Sequence, residues 1–212
     1  MATLEEWTLW LHIAAGTIAL FAGLGALVTA KGGWRHRQAG KLFVISMGVV
    51  VVTVFGLVAI DPTNFRIILT LVAIFSGYFA FSGYRVLSRK RPTDDAHTID
   101  WIATGAVFLA CLGLGVWGIT WYLGGKSFGM VMMVFGGIGV VFGTLDAREF
   151  RRDGTGEWMV SHLQRMIAAF ISTLSAVSAV NLTPVIGIWA WLWPTVVGVP
   201  FIVYWSNTYS IE

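Results

Sequence analysis

Charge is what this sequence has least of. Of its 212 residues only 12% are Asp, Glu, Lys or Arg, against roughly a quarter in a soluble domain, while 57% are apolar. That ratio argues against a water-exposed globular fold and makes the bilayer the solvent to assume. Cysteine is nearly missing: the single one, Cys111, lies inside an apolar run, which excludes an intramolecular disulfide and any cysteine-based zinc cluster. Metal or cofactor ligands must then come from His, Met, Asp and Glu. No HxxxH or HExxH occurs, so no single helix offers two metal-ligating imidazoles a turn apart, and there is neither a phosphate-binding glycine loop nor a nucleophile elbow in a suitable context. The fourteen Lys and Arg give a net charge of +3 but sit in a few short segments, a pattern of membrane orientation and not of nucleic-acid binding.

What is present is apolar sequence in long runs. A helix needs about 20 apolar residues to cross the hydrocarbon core. Windows of that kind fall at residues 10–30, 42–60, 67–87, 102–123, 128–145, 159–180 and 185–205. Backbone groups in lipid must be paired within the segment, so these runs predict helices. The fold class expected is an all-α integral membrane protein, a seven-transmembrane-helix bundle forming one domain over residues 1–212. "MATLEEW" has neither the basic start nor the small-residue cleavage site of a secretory signal, so the first run is expected to stay as a span.

Orientation follows from the connectors. "DPTN", "GGKS" and "NLTP" are short and lie on one side; "KGGWRHRQAGK", "RVLSRKRPTDDAHTID" and "DAREFRRDGTGE" lie on the other. Twelve of the fourteen Lys and Arg belong to the second side or to the first turns of helices leaving it, with only Arg66 and Lys126 opposite. The positive-inside rule then puts the N-terminus outside and the C-terminus in the cytoplasm. Trp7, Trp10, Trp117 and Trp121 fall at outer ends, and Trp34, Trp101, Trp158 and Trp205 at inner ends, where amphipathic rings prefer to sit. Gly139 with Gly143, and Ser172 with Ser175 and Ala179, form small faces suited to close helix packing. Pro194 and Pro200 are expected to kink the last helix. That helix carries no lysine, which excludes the retinal Schiff base of the rhodopsin plan.

Ionisable side chains within a span are costly and mark sites by default. His12 lies about a turn into the first span at the outer side; Asp146 ends the fifth at the inner side, and His162 and Arg165 enter the sixth there. Trp158, His162 and Arg165 share a helix face. His36, in the first inner loop, and His97, before the fourth span, lie at comparable depth. Each also has a plain reading. His36 between Arg35 and Arg37 suits an interfacial loop; His97 suits solvent, with Thr98 or Asp100 capping the next helix; Arg165 can snorkel to headgroups. Asp146 can pair with Arg148 or a neighbouring helix. An imidazole at His162 needs a partner in any reading. His12 faces the depth of Met130, Met132 and Met133, a His–Met pairing usable by haem iron or copper, although Met is also a common gap-filler.

The stretches "LHIAAGTIALFAGLGALVTAKGGWRHRQAGKLFVISM", "FSGYRVL", "IDW", "LDAREFRR" and "EWMVSHLQRMIAAFISTLSAVSAVN" together resemble the prokaryotic polytopic membrane family catalogued as domain of unknown function twenty-three-oh-six. The resemblance covers nearly the whole chain. Its most specific blocks contain His12, His36, Arg37, Gly40, Asp146, Trp158, His162 and Met166, and leave out His97. It implies a multi-pass protein of the prokaryotic cell membrane and no defined activity.

Three functional readings stand side by side. In the first, a membrane redox or cofactor-binding protein, His36 and His162 are ligands for haem b or a metal, with Arg37 and Arg165 pairing haem propionates or a quinone carbonyl and His12 marking an outer site. A three-ligand metal site of His36, His162 and Asp146 is the variant without haem. In the second, Asp146 and His162 are the acid–base pair of an enzyme acting on a lipid-like or quinone-like substrate. In the third the chain is an accessory or transport subunit of a membrane complex, and these side chains only hold the bundle together.

Overall fold

A computed structural model describes residues 3–91, 93–151 and 158–209. Its elements are α1 (Leu4–Val28), α2 (Trp34–Ile60), α3 (Asn64–Arg85) followed by a short 3₁₀ turn (Val86–Ser88), α4 (Thr98–Leu123), α5 (Phe128–Glu149), α6 (Trp158–Ile186) and α7 (Trp189–Tyr209). There is no strand among the described residues. Six of the helices, α1 to α6, are long and apolar enough to cross a membrane. α7 falls outside that set because Trp189, Trp191, Trp193, Pro194 and Pro200 dilute its aliphatic content, although Val196, Val197, Phe201 and Val203 leave it with an exposed apolar flank.

The helices overrun the apolar windows at their polar ends. α2 begins at Trp34, so residues 34–41, expected as loop, are its first two turns, and His36 is a helical residue. Hydropathy reports where lipid starts and not where the hydrogen-bonded helix does. α6 runs on through "NLTP", expected as a connector. Pro184 leaves the Val180 carbonyl without its usual donor, while Asn181 Nδ2 and Thr183 Oγ1 donate back to the Val177 and Ala179 carbonyls at 2.7 and 2.5 Å. The reversal waits for Gly187, whose φ of 58° is the left-handed conformation glycine takes at a helix end. Pro194 and Pro200 both lie within the unbroken α7.

Three antiparallel hairpins, α1–α2, α4–α5 and α6–α7, are arranged around α3, which packs on α2, α4, α5 and α6. α3 is accordingly the most enclosed span, burying Ile68, Phe75, Tyr78 and Phe79 among others. Lipid is as apolar as these side chains, so burial alone does not drive helices together; close backbone approach does. The α4–α5 pair shows this. A Cβ on Gly136 would come within 2.7 Å of the Cys111 carbonyl and the Gly115 backbone, and one on Gly129 within 3.0 Å of the Tyr122 Cα. Gly139 and Gly143 belong to the same seam, as their spacing suggested. On α7, Trp193 donates to Ser178 Oγ at 2.7 Å and Trp191 packs edge-to-face on Phe128. Trp191 and Trp193 are therefore packing elements.

Candidate functional site

Four histidines were candidates, and the structure brings two of them together. His36 lies in the first turn of α2 and His162 in the second turn of α6; their ring centres are 6.5 Å apart with the planes at 75°. Both rings are half-buried. Each is fixed by a backbone carbonyl: His36 Nδ1 to Ala26 at 3.0 Å, near the end of α1, and His162 Nδ1 to Gly83 at 2.7 Å, near the end of α3. A carbonyl only accepts, so Nδ1 carries a proton in both rings, and in the neutral form of each it is Nε2 that has the lone pair. This is the outer-shell arrangement that orients imidazole ligands in metal sites.

The surroundings are apolar on the membrane side and cationic on the other. Phe43 of α2 and Phe170 of α6 converge on Gly23 of α1, where even a Cβ would crowd both rings. They lie about two turns further along α2 and α6 than the imidazoles. Gly40, one turn along α2 from His36, has no atom within 4 Å of where its Cβ would stand, so the helix face beside the imidazole is open. Arg35, Arg37 and Lys41 are exposed around the same end, and Lys90 lies over the Trp158 ring at 4.6 Å. Lys31 donates to the Ala26 and Leu27 carbonyls at the end of α1, and partial burial lowers the pKa of its amine from the ordinary value.

Asp146 and Arg165 are elsewhere. Asp146, with no accessible surface, receives hydrogen bonds from Arg165 of α6 and from Tyr78 of α3. Arg165 also reaches Glu149 at 3.0 Å and the Ser161 carbonyl at 3.1 Å, and Tyr78 Oη lies 2.8 Å from Thr104 Oγ1. Three expectations are corrected by this geometry. Asp146 does not join His36 and His162 as a third metal ligand, and no group of three or more His, Cys, Asp or Glu suited to a metal forms among the described residues. Asp146 and His162 do not form an acid–base pair, because the carboxylate is committed to Arg165 and Tyr78 and the imidazole to Gly83. Arg165 neither snorkels nor offers itself to a propionate or quinone, since its guanidinium is buried between two carboxylates.

His12 is separate from all of these. Its Nδ1 pairs with Thr53 Oγ1 on α2 at 2.9 Å, and α1 packs on α2 and α6 while Met130 and Met132 pack within the central core. Met130 and Met132 are thus the gap-fillers of the plainer reading, and the partner His12 has is Thr53. His97 precedes α4, capped as expected by Asp100, which accepts its backbone N–H at 2.9 Å. The ion cluster that Asp100 makes with Arg85 and Arg89, at 2.9 and 3.1 Å, was not legible in the sequence, because the partners are separated by the inner connector. Comparison with known protein families, curated proteins and solved structures returned no match for this chain.

Proposed function

We propose that this chain is a multi-pass membrane electron-transfer protein that binds haem b between His36 and His162. The observation that carries the reading is the imidazole pair itself. Two imidazoles that would hold one metal ion between them through bonds of ~2.0–2.1 Å would have ring centres roughly 6 to 6.5 Å apart, and the pair here stands at 6.5 Å. Haem iron is the metal best matched to a set of only two protein ligands, because the porphyrin supplies the other four. A lone zinc ion would want a third protein ligand, and no group of three or more such ligands forms among the described residues.

The residues fit such a group. Ala26 and Gly83 hold the two rings in the tautomer that leaves Nε2 free. The bare Gly40 face would admit the edge of a flat ring, and Phe43 with Phe170 would keep water from its buried side. Arg37, with Arg35, would pair the carboxylates of such a group at the charged end; that role belongs to these exposed cations and no longer to Arg165. What haem would supply here is one-electron transfer, with His36 and His162 the residues that would hold it. A membrane quinone or another membrane redox protein would then be the electron partner. The two residues also belong to two of the three blocks most specific to the family resemblance, the third holding His12. The same reading places the bundle in the prokaryotic plasma membrane with the N-terminus outside, the C-terminus in the cytoplasm and α7 as a seventh span.

Optical spectra of the purified protein before and after dithionite provide the test. The expected result is a Soret band that sharpens and shifts on reduction, lost in both His36→Ala and His162→Ala and kept in His12→Ala and His97→Ala. A wild-type protein purified from a haem-replete host with no Soret band and no stoichiometric metal would overturn the reading. It would leave the accessory-subunit alternative, in which His162→Ala costs stability alone.

A further inference from the structure

We infer that the bundle holds one acyl chain of an anionic phospholipid in a cleft between α2 and α4, with the headgroup phosphate met by Lys41 and Arg85. The cleft has a volume of about 360 Å³ and lies over α3, between two helices that pack on α3 and not on each other. Val44, Gly48 and Val51 form one wall, Ala103 and Val107 the other, and Gly77 and Phe81 the floor. Gly77 keeps that floor close to α2, since a Cβ there would stand 2.5 Å from Val51. Tyr78 also reaches the cleft, but its hydroxyl is spent on Asp146 and Thr104.

The chemistry of the walls selects the occupant. A buried water needs two to four polar partners, and none is free on these walls, so the cleft is dry. A polar headgroup inside it would be desolvated without compensation. Hydrocarbon is what remains, and a bilayer supplies it from the side.

Charge then selects the lipid. The wall residues continue at helical spacing into charged ones at a single end: Val51, Gly48 and Val44 lead to Lys41, Phe81 leads to Arg85, and Val107 and Ala103 lead to Asp100. Lys41 is exposed. Arg85 gives Nε and Nη2 to Asp100 and leaves Nη1 over, with its side chain 25% exposed. Asp100 is shared with Arg89, so the three of them retain one positive charge. Together with Lys41, the mouth of the cleft carries two positive charges at headgroup depth. A phosphate with no compensating cation of its own fits that mouth better than a zwitterionic headgroup. This inference does not depend on haem binding.

Native mass spectrometry of the full-length protein, exchanged into micelles containing equimolar phosphatidylglycerol and phosphatidylcholine of identical chains, tests it. The wild type is expected to retain one phosphatidylglycerol about fivefold or more over phosphatidylcholine. Gly48→Phe and Ala103→Phe, which fill the cleft from opposite walls, are expected to lose the retained lipid of either kind. Lys41→Gln keeps a lipid but loses most of the preference. Equal retention of the two lipids by the wild type overturns the inference, as does retention of an isoprenoid quinone in their place. So does wild-type retention in either filling variant with an unchanged circular dichroism melt. If neither filling variant folds, the Lys41→Gln comparison decides: an unchanged preference overturns the assignment.

Discussion

Arg165 shows what a single buried charge commits a membrane helix to. Its guanidinium and the Asp146 carboxylate are 3% and 0% exposed, and each is there because the other is. Removing one partner of such a pair costs about 3–5 kcal/mol, whereas replacing both by apolar groups is often close to neutral. Asp146→Leu should therefore lower the thermal midpoint in detergent sharply, and Asp146→Leu with Arg165→Met should recover most of the loss. Equal damage from the single and double variants would mean that the pair does something besides hold α5 to α6. Gly83 is the second residue of this kind. A Cβ at Gly83 would stand 2.9 Å from Met166 Sδ and 3.1 Å from Arg165 Cβ, directly behind the carbonyl that orients His162. Gly83→Val should displace that carbonyl and, on the proposed haem reading, reduce haem occupancy severalfold, read from the Soret-to-protein absorbance ratio, while the helical circular dichroism signal stays.

Among the described elements, α4 and α5 make the most extensive contact, and glycine lets their backbones approach. Gly136→Val places a branched side chain against the Cys111 and Gly115 backbone, and should separate the two helices at a cost of a few kcal/mol, as overpacking does. Gly113→Ala, on the same pair but with nothing within 4 Å, should be neutral or stabilising by up to about 1 kcal/mol. Thermal unfolding of both variants checks this, and the ranking should not invert. The elements were also what the sequence showed most plainly. Length and hydropathy located α1 to α6, because lipid forces long apolar runs into helices. The helix starts were hidden for the same reason: residues 34–41 are polar, so periodic apolarity could not reveal that they are helical, and His36 read as a loop residue. The depth of His36 and His162 was legible, since both flank apolar runs. That Ala26 and Gly83 would hold them was not, because a backbone carbonyl carries no sequence signal. Asp146 was misplaced in the site for a complementary reason. Its two real partners, Tyr78 and Arg165, come from other helices, and spacing along one helix says nothing about either.

At the scale of the whole molecule, the question is parity. Six spans would return the C-terminus to the side of the N-terminus, and a seventh would put it opposite. A C-terminal fluorescent protein that folds only in the cytoplasm should be bright, and a C-terminal alkaline phosphatase, active only outside, should be silent; the reverse outcome would place α7 along the membrane surface with its valine flank in the lipid. The hairpin arrangement bears on how the molecule is made. His36 arrives with the first hairpin and His162 with the last, and the carbonyl that aims His162 belongs to α3, on which both hairpins rest. Most of the chain must therefore have been made, and α6 seated, before the two imidazoles that the proposed reading makes ligands face each other. Haem uptake would then act as a quality check on completed biogenesis, since a chain stalled before α6 has one imidazole and nothing to hold across from it.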